Sequence, residues 1–207
     1  MIPCRPFPGG LALLLTAGFI IATGARLSGH HDLTHRPGAA ERRQINVPIQ
    51  NFSLRDQSGN LFSFQRLRGK LVVLTFTYTT CPDLCPLLTS SLQRIQRGLR
   101  ADERNSVYLI TITVDPEIDS PQVLKSYAER YRINFSNWSF LTGEEEELSP
   151  VWKAFGVKVQ RKARGLVDHT TLTALVDEKG VMRFAYHGTF PDPKVVLEDL
   201  RALLNSN

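Results

Sequence analysis

Cysteine is scarce in this chain of 207 residues: Cys4, Cys81 and Cys85 are the whole set. A structural zinc site wants four ligands in a closed tetrahedron, and around the later two cysteines no fourth ligand is evident. Long apolar runs are equally scarce. After residue 25 no segment reaches the roughly 18 apolar residues that a spanning helix needs. Nor is there a dense basic stripe with interleaved aromatics, which argues against nucleic-acid binding. The net charge is +5, and its basic residues are scattered apart from one knot at Lys158, Arg161, Lys162 and Arg164. Such a knot reads as solvated basic surface, with docking of an acidic partner as the alternative. No internal repeat is seen.

Residues 11–25 (LALLLTAGFIIATGA) carry no charge, one arginine (Arg5) precedes them, and small residues close the run. That is the layout of a secretory signal, or of an uncleaved anchor if the apolar stretch is counted from Phe7. Cys4 precedes the run, whereas a lipidated cysteine would follow it. Residues 26–47 lack hydrophobic period and read as a linker. Its His30, His31 and His35 are expected to be solvated. The domain is expected over 48–207, outside the cytoplasm, where disulfides persist.

Phe52 to Leu54 and Leu61 to Phe64 alternate around turn residues 56–60, a β-hairpin. Leu71–Thr77 is apolar and β-branched throughout, as suits a central strand covered on both faces. Leu87, Leu88, Leu92, Ile95 and Leu99 lie on one face of a helix over 86–100. Val107–Val114 is a second buried strand. Ser120-Pro121 caps a helix running to about Tyr131. Trp138–Leu141 is short extended chain. Thr142 and Glu145 have capping-box spacing. Thr171–Val176 and Val181–Tyr186 form a second hairpin, and Pro193–Leu204 a closing helix. Early βαβ units followed by a hairpin and a helix give an α/β, thioredoxin-like plan with helices on both sheet faces.

The chemistry concentrates at Thr75–Pro86, where a central strand gives way to a helix. Ligands bind at such carboxyl ends of open α/β sheets. Pro86 disfavours helical geometry at the residue before it, so the helix is expected to begin at Pro86 with Cys85 near its N-cap. A helix N-terminus lowers a thiol pKa. In a helical turn, Cβ atoms four residues apart are about 5–6 Å from each other, against the roughly 3.8 Å of a disulfide. The CxxxC pair can therefore close, or spread to hold a metal. Two soft sulfurs select Cu(I) or Zn(II), and a third ligand is to be sought. His187 follows the last strand. His169 enters the strand near Thr171, at the rim of the sheet. Read alone, it is either a polar loop residue or a ligand.

TYTTCPDLCP (77–86), LRGKLVVLTF (67–76), ITVDPEIDSP (112–121), FLTG (140–143) and VDHTTLTALVDEKG (167–180) together resemble the Sco/SenC family of copper-binding cytochrome c oxidase assembly factors. The resemblance covers about residues 48–204, with the motifs in order. It implies one copper held by Cys81, Cys85 and His169. It also gives Asp115 and Asp168 supporting or partner-facing roles. Asp115-Pro116 otherwise reads as a strand-ending turn. The implied partners are a copper donor, the oxidase subunit carrying the CuA centre, and the membrane through the N-terminal segment. In a bacterium the implied place is the periplasmic side of the inner membrane. The alternative reading is a thiol–disulfide oxidoreductase in which Cys81 attacks and Cys85 resolves. A peroxidase reading is disfavoured: Tyr78, not Thr or Ser, stands three residues before Cys81, and no proline precedes it in that strand.

Overall fold

The computed structural model describes residues 40–206. The expected signal or anchor over 1–25, Cys4, and the linker histidines His30, His31 and His35 lie outside the described residues. In chain order the elements are β1 (Glu41–Pro48), β2 (Ser53–Asp56), β3 (Leu61–Ser63), β4 (Leu71–Thr77), α1 (Leu84–Gly98), β5 (Val107–Thr113) and α2 (Pro121–Arg130). There follow β6 (Trp138–Thr142), α3 (Glu145–Ala154), β7 (Val159–Arg161), β8 (Val167–His169), β9 (Leu172–Val176), β10 (Val181–His187) and α4 (Pro193–Leu204). Eight strands form one mixed sheet in the order β1-β10-β9-β4-β5-β6-β2-β3, while β7 and β8 pair separately. β4, β5 and β6 run parallel, and β9 lies antiparallel to β4.

Strand alternation divides the core into two layers. Val72, Leu74 and Phe76 of β4 and Tyr108, Ile110 and Ile112 of β5 face α3, which supplies Leu148, Val151 and Trp152. Leu71, Val73, Val107 and Leu109 face Leu88, Leu92 and Ile95 of α1, Leu124 of α2 and Leu200 of α4. Toward the carboxyl ends that second face turns to threonine: Thr75, Thr77, Thr111 and Thr113, all buried. Buried hydroxyls need partners. Thr75 Oγ1 donates to the Leu172 carbonyl at 2.9 Å, and Thr113 Oγ1 to Asp119 at 2.6 Å. The core therefore becomes polar where β4 gives way to the cysteine segment.

The fold departs from the sequence expectations in four places. Strand β1 (Glu41–Pro48) takes up the last residues of the expected linker of 26–47 and the first residue of the expected domain, and pairs antiparallel with β10. Its side chains are almost all exposed. Backbone ladder bonds, Arg42 on Asp199 and Phe184, and the half-buried Ile45 hold it, and one inward apolar side chain makes no hydrophobic period. Helix α1 begins at Leu84 rather than Pro86, with Asp83 as N-cap. The amides of a first helical turn have no partner within the helix, so Pro86 gives up nothing there. Helix α3 is capped by Glu144 rather than Thr142, the Glu147 carboxylate accepting from the Glu144 amide at 3.0 Å. The β7–β8 hairpin was not anticipated, because each of its strands has only three residues. Among the described residues no helix is long and apolar enough to cross a membrane.

Candidate metal and thiol site

Beyond Thr77, the last residue of β4, the chain leaves the sheet over a buried carboxylate. Asp119 is fully buried and accepts from the Thr79 amide at 3.1 Å, from the Thr79 hydroxyl, and from Thr113. Burial pushes its carboxyl above the usual range, and the threonine donors oppose that shift. Asp119 thereby ties the loop before Cys81 to the loop after β5.

Cys81 is half-buried and Cys85 is buried; both are free thiols. The Cys85 amide points at Cys81 Sγ, 3.5 Å away. The Cys81 thiol is brought down to about 5, first by the Cys85 thiol donating to it and then, against burial, by the amides of Cys85, Asp83 and Leu84. These amides open α1, so its N-terminus serves as a cradle for the thiolate. Cys85 moves the opposite way: it gives its proton to the shared hydrogen bond and is buried, and both hold its thiol protonated. The site is an asymmetric pair, one sulfur anionic and reachable, the other neutral and covered.

His169 ends β8. The β7–β8 register pairs Val159 with His169, Gln160 with Asp168 and Arg161 with Val167. Residues directly opposite share a face. Val159, Val167, Arg161 and His169 therefore turn to one side, Gln160 and Asp168 to the other. Val167 and Val159 pack into the core layer beneath α3. The His169 ring meets Tyr78 edge-on, centroids 5.9 Å apart. Its Nδ1 lies 3.1 Å from the Thr170 carbonyl. Donation there fixes the tautomer and leaves Nε2 with a free lone pair. Burial holds the imidazole pKa below its ordinary value, which favours the neutral, ligating form.

Cys81, Cys85, His169 and Tyr78 line one cleft of about 390 Å³, floored by Phe76 and Leu88 and edged by Leu84 and Leu166. The three donors thus share a cleft without being drawn into a closed cluster. Among the described residues no three His, Cys, Asp or Glu side chains already stand at metal-binding geometry. Of the other two expected acids, Asp168 joins the lining of the cleft and Asp115 does not. Asp168 is on the outward face, 72% exposed, 4.0 Å from Lys162 Nζ. Asp115 is fully buried and paired with Arg161. Asp119 and Arg161 were not expected at the site. A signal existed for Arg161: Val157, Val159 and Arg161 alternate, which places the arginine on the inward side. His187, the remaining described histidine, ends β10 opposite Glu41.

The SCO1/SenC family model matches residues 40–205. The chain belongs to the SCO1/SenC family. Among its relatives is the SCO1 protein homolog of Bacillus subtilis (strain 168), 32% identical over 154 residues, covering 72% of this chain and 78% of that one. The copper-bound structure of ScoI from Bradyrhizobium japonicum superposes with a TM-score of 0.65 at 28% identity, over 76% of this chain and 99% of that one. BsSco, described as having a disulfide switch and as a member of the Sco family of cytochrome c oxidase assembly proteins, superposes with a TM-score of 0.69 at 28% identity. That match covers 80% of this chain and 98% of BsSco. The SCO1/SenC model begins at residue 40, so β1 falls within the family domain.

Proposed function

We propose that this chain is a copper metallochaperone that carries one copper ion on Cys81 Sγ, Cys85 Sγ and His169 Nε2 and passes it to the CuA subunit of a cytochrome c oxidase. The observation that carries the reading is the meeting of two thiols and a neutral imidazole in one cleft, in a chain whose family includes copper-bound members. The donor set fits the cargo. Two soft sulfurs suit Cu(I), and the imidazole accommodates Cu(II) as well. Cys81 is already a thiolate near neutral pH. Cys85 must lose its proton, so loading releases protons and affinity falls as pH drops. Half-exposed Cys81 is the sulfur an incoming thiol reaches first, which suits transfer by ligand exchange across a transient interface. Residues 1–25, as signal or anchor, would keep the domain on the outer side of the membrane.

One observation favours a second activity at the same residues. A low-pKa, reachable Cys81 beside a buried, protonated Cys85 is the arrangement of an attacking and a resolving thiol. Reduction of the acceptor's copper-binding cysteines would use that pair. His169 separates the two roles. Copper transfer from the loaded chain to an isolated CuA domain, followed optically, is expected to fall at least tenfold in His169→Ala. Delivery equal to the parent's would leave thiol exchange as the better account.

A further inference from the structure

His169 sits on a hairpin outside the main sheet, so something must fix the hairpin's position. The β7–β8 pair has its own short ladder, closed by the Lys162 amide to Leu166 at 2.7 Å and the Thr170 amide to Lys158 at 3.0 Å. Those bonds hold the hairpin to itself. Two polar attachments reach the body of the domain: the Val167 backbone bonds the Tyr78 hydroxyl, and the Arg161 guanidinium binds Asp115, in the turn that follows β5, and lies 3.1 Å from Glu117. Asp115 is fully buried, and its Oδ2 has no hydrogen-bond partner among the described residues. A buried carboxylate with one oxygen unmet depends heavily on its countercharge, and removing one member of such a pair is strongly destabilising. Arg161 projects on the face that carries His169, two residues along from Val159, which stands opposite that histidine.

We propose that Arg161 is a positioning residue: by locking onto Asp115 it clamps the β7–β8 hairpin to the end of β5 and holds His169 over the cysteine pair. The inference deepens the copper-site reading and rests on it for the role of His169. The clamp itself can be read without metal.

The experiment has two arms on the full chain. In the apoprotein, amide hydrogen exchange of residues 158–170 is compared with that of β4 and β5 in the parent, Arg161→Met, Arg161→Lys and the double variant Asp115→Asn/Arg161→Met. Arg161→Met is expected to speed exchange in the hairpin at least tenfold more than it speeds exchange in β4 and β5. Arg161→Lys should recover part of it. The double variant leaves no buried charge, so global stability should return while hairpin exchange stays fast. Hairpin protection equal to the parent's in Arg161→Met or in the double variant would overturn the clamp.

The second arm measures Cu(II) binding and nitrogen coupling in the electron paramagnetic resonance spectrum. Arg161→Met should weaken copper toward the His169→Ala level and reduce that coupling, and should add little when His169 is already alanine. Independent, multiplying effects of the two substitutions would overturn it. Should His169→Ala leave copper binding unchanged, the three-ligand reading falls, and the exchange arm still decides whether Arg161 holds the hairpin.

Discussion

At Cys81 the amides of Leu84 and Cys85 in α1, that of the N-cap Asp83 and the Cys85 thiol all act on one sulfur, and this sets a prediction that needs no metal. In the reduced apoprotein, alkylation of Cys81 by iodoacetamide should rise with a midpoint near pH 5. Cys85 should stay unreactive through neutral pH, because burial and its hydrogen bond to Cys81 keep it protonated. Mass spectrometry of quenched samples reads both; equal reactivity with a common midpoint near 8.5 would contradict the asymmetry. Asp119 is the second residue-level test. Asp119→Ala leaves the Thr79 amide and the Thr113 hydroxyl without their acceptor. It should cost about 1–3 kcal/mol in urea unfolding and speed exchange of the loop before Cys81. The cysteines were legible in the sequence because their spacing and flanking prolines are local signals. Asp119 was not: a buried carboxylate among threonines is set by tertiary contact between two strand ends that lie far apart in the chain.

Among the elements that the sequence hid, β1 is the longest. Its eight residues, ERRQINVP, bury little, so no alternation marks them as a strand. Arg42 does the anchoring. Its Nε and Nη2 lie 2.7 and 2.6 Å from the Asp199 carboxylate on α4, which also accepts from Tyr186 at 2.6 Å, and its guanidinium stacks over Phe184 at 4.4 Å. Arg42→Ala leaves a largely buried aspartate without its countercharge and should lower stability by about 1–3 kcal/mol. Thermal melts of that variant, and of a chain beginning at residue 49, should both shift downward; a chain from 49 as stable as one from 40 would show that β1 is dispensable. By contrast β4, β5 and α4 announce themselves, since continuous apolar runs and a 3.6-residue period reflect burial on both faces or one. The sequence marks the start of α1 two residues late, at Pro86, because a proline signals a helix start although the first turn tolerates it at any position.

Across the whole molecule, charge pairs tie distant segments together, and one of them fixes a sign for stability against pH. Glu103, between α1 and β5, accepts from Arg201 of α4 at 2.9 Å and from the Arg100 amide at 2.8 Å. The Arg201 guanidinium, above all, holds the Glu103 carboxyl below its ordinary value. A folded pKa below the unfolded value of about 4.3 adds stability above that pH, lost as pH falls through the folded value. The stability gap between the parent and Glu103→Gln should therefore be full at pH 7 and close on acidification below about pH 4. A gap that widens on acidification would reverse the assignment. The candidate site lies at one end of the sheet, where β4, α1 and the β7–β8 hairpin meet around one cleft. The most direct test is anaerobic copper titration of reduced residues 26–207, for the parent and for Cys81→Ala, Cys85→Ala and His169→Ala. One tightly held copper per chain, lost with either cysteine and weakened by the histidine substitution, is the predicted result. No stable copper in the parent, with a readily cycled Cys81–Cys85 disulfide, would contradict the account and make the chain a thiol oxidoreductase.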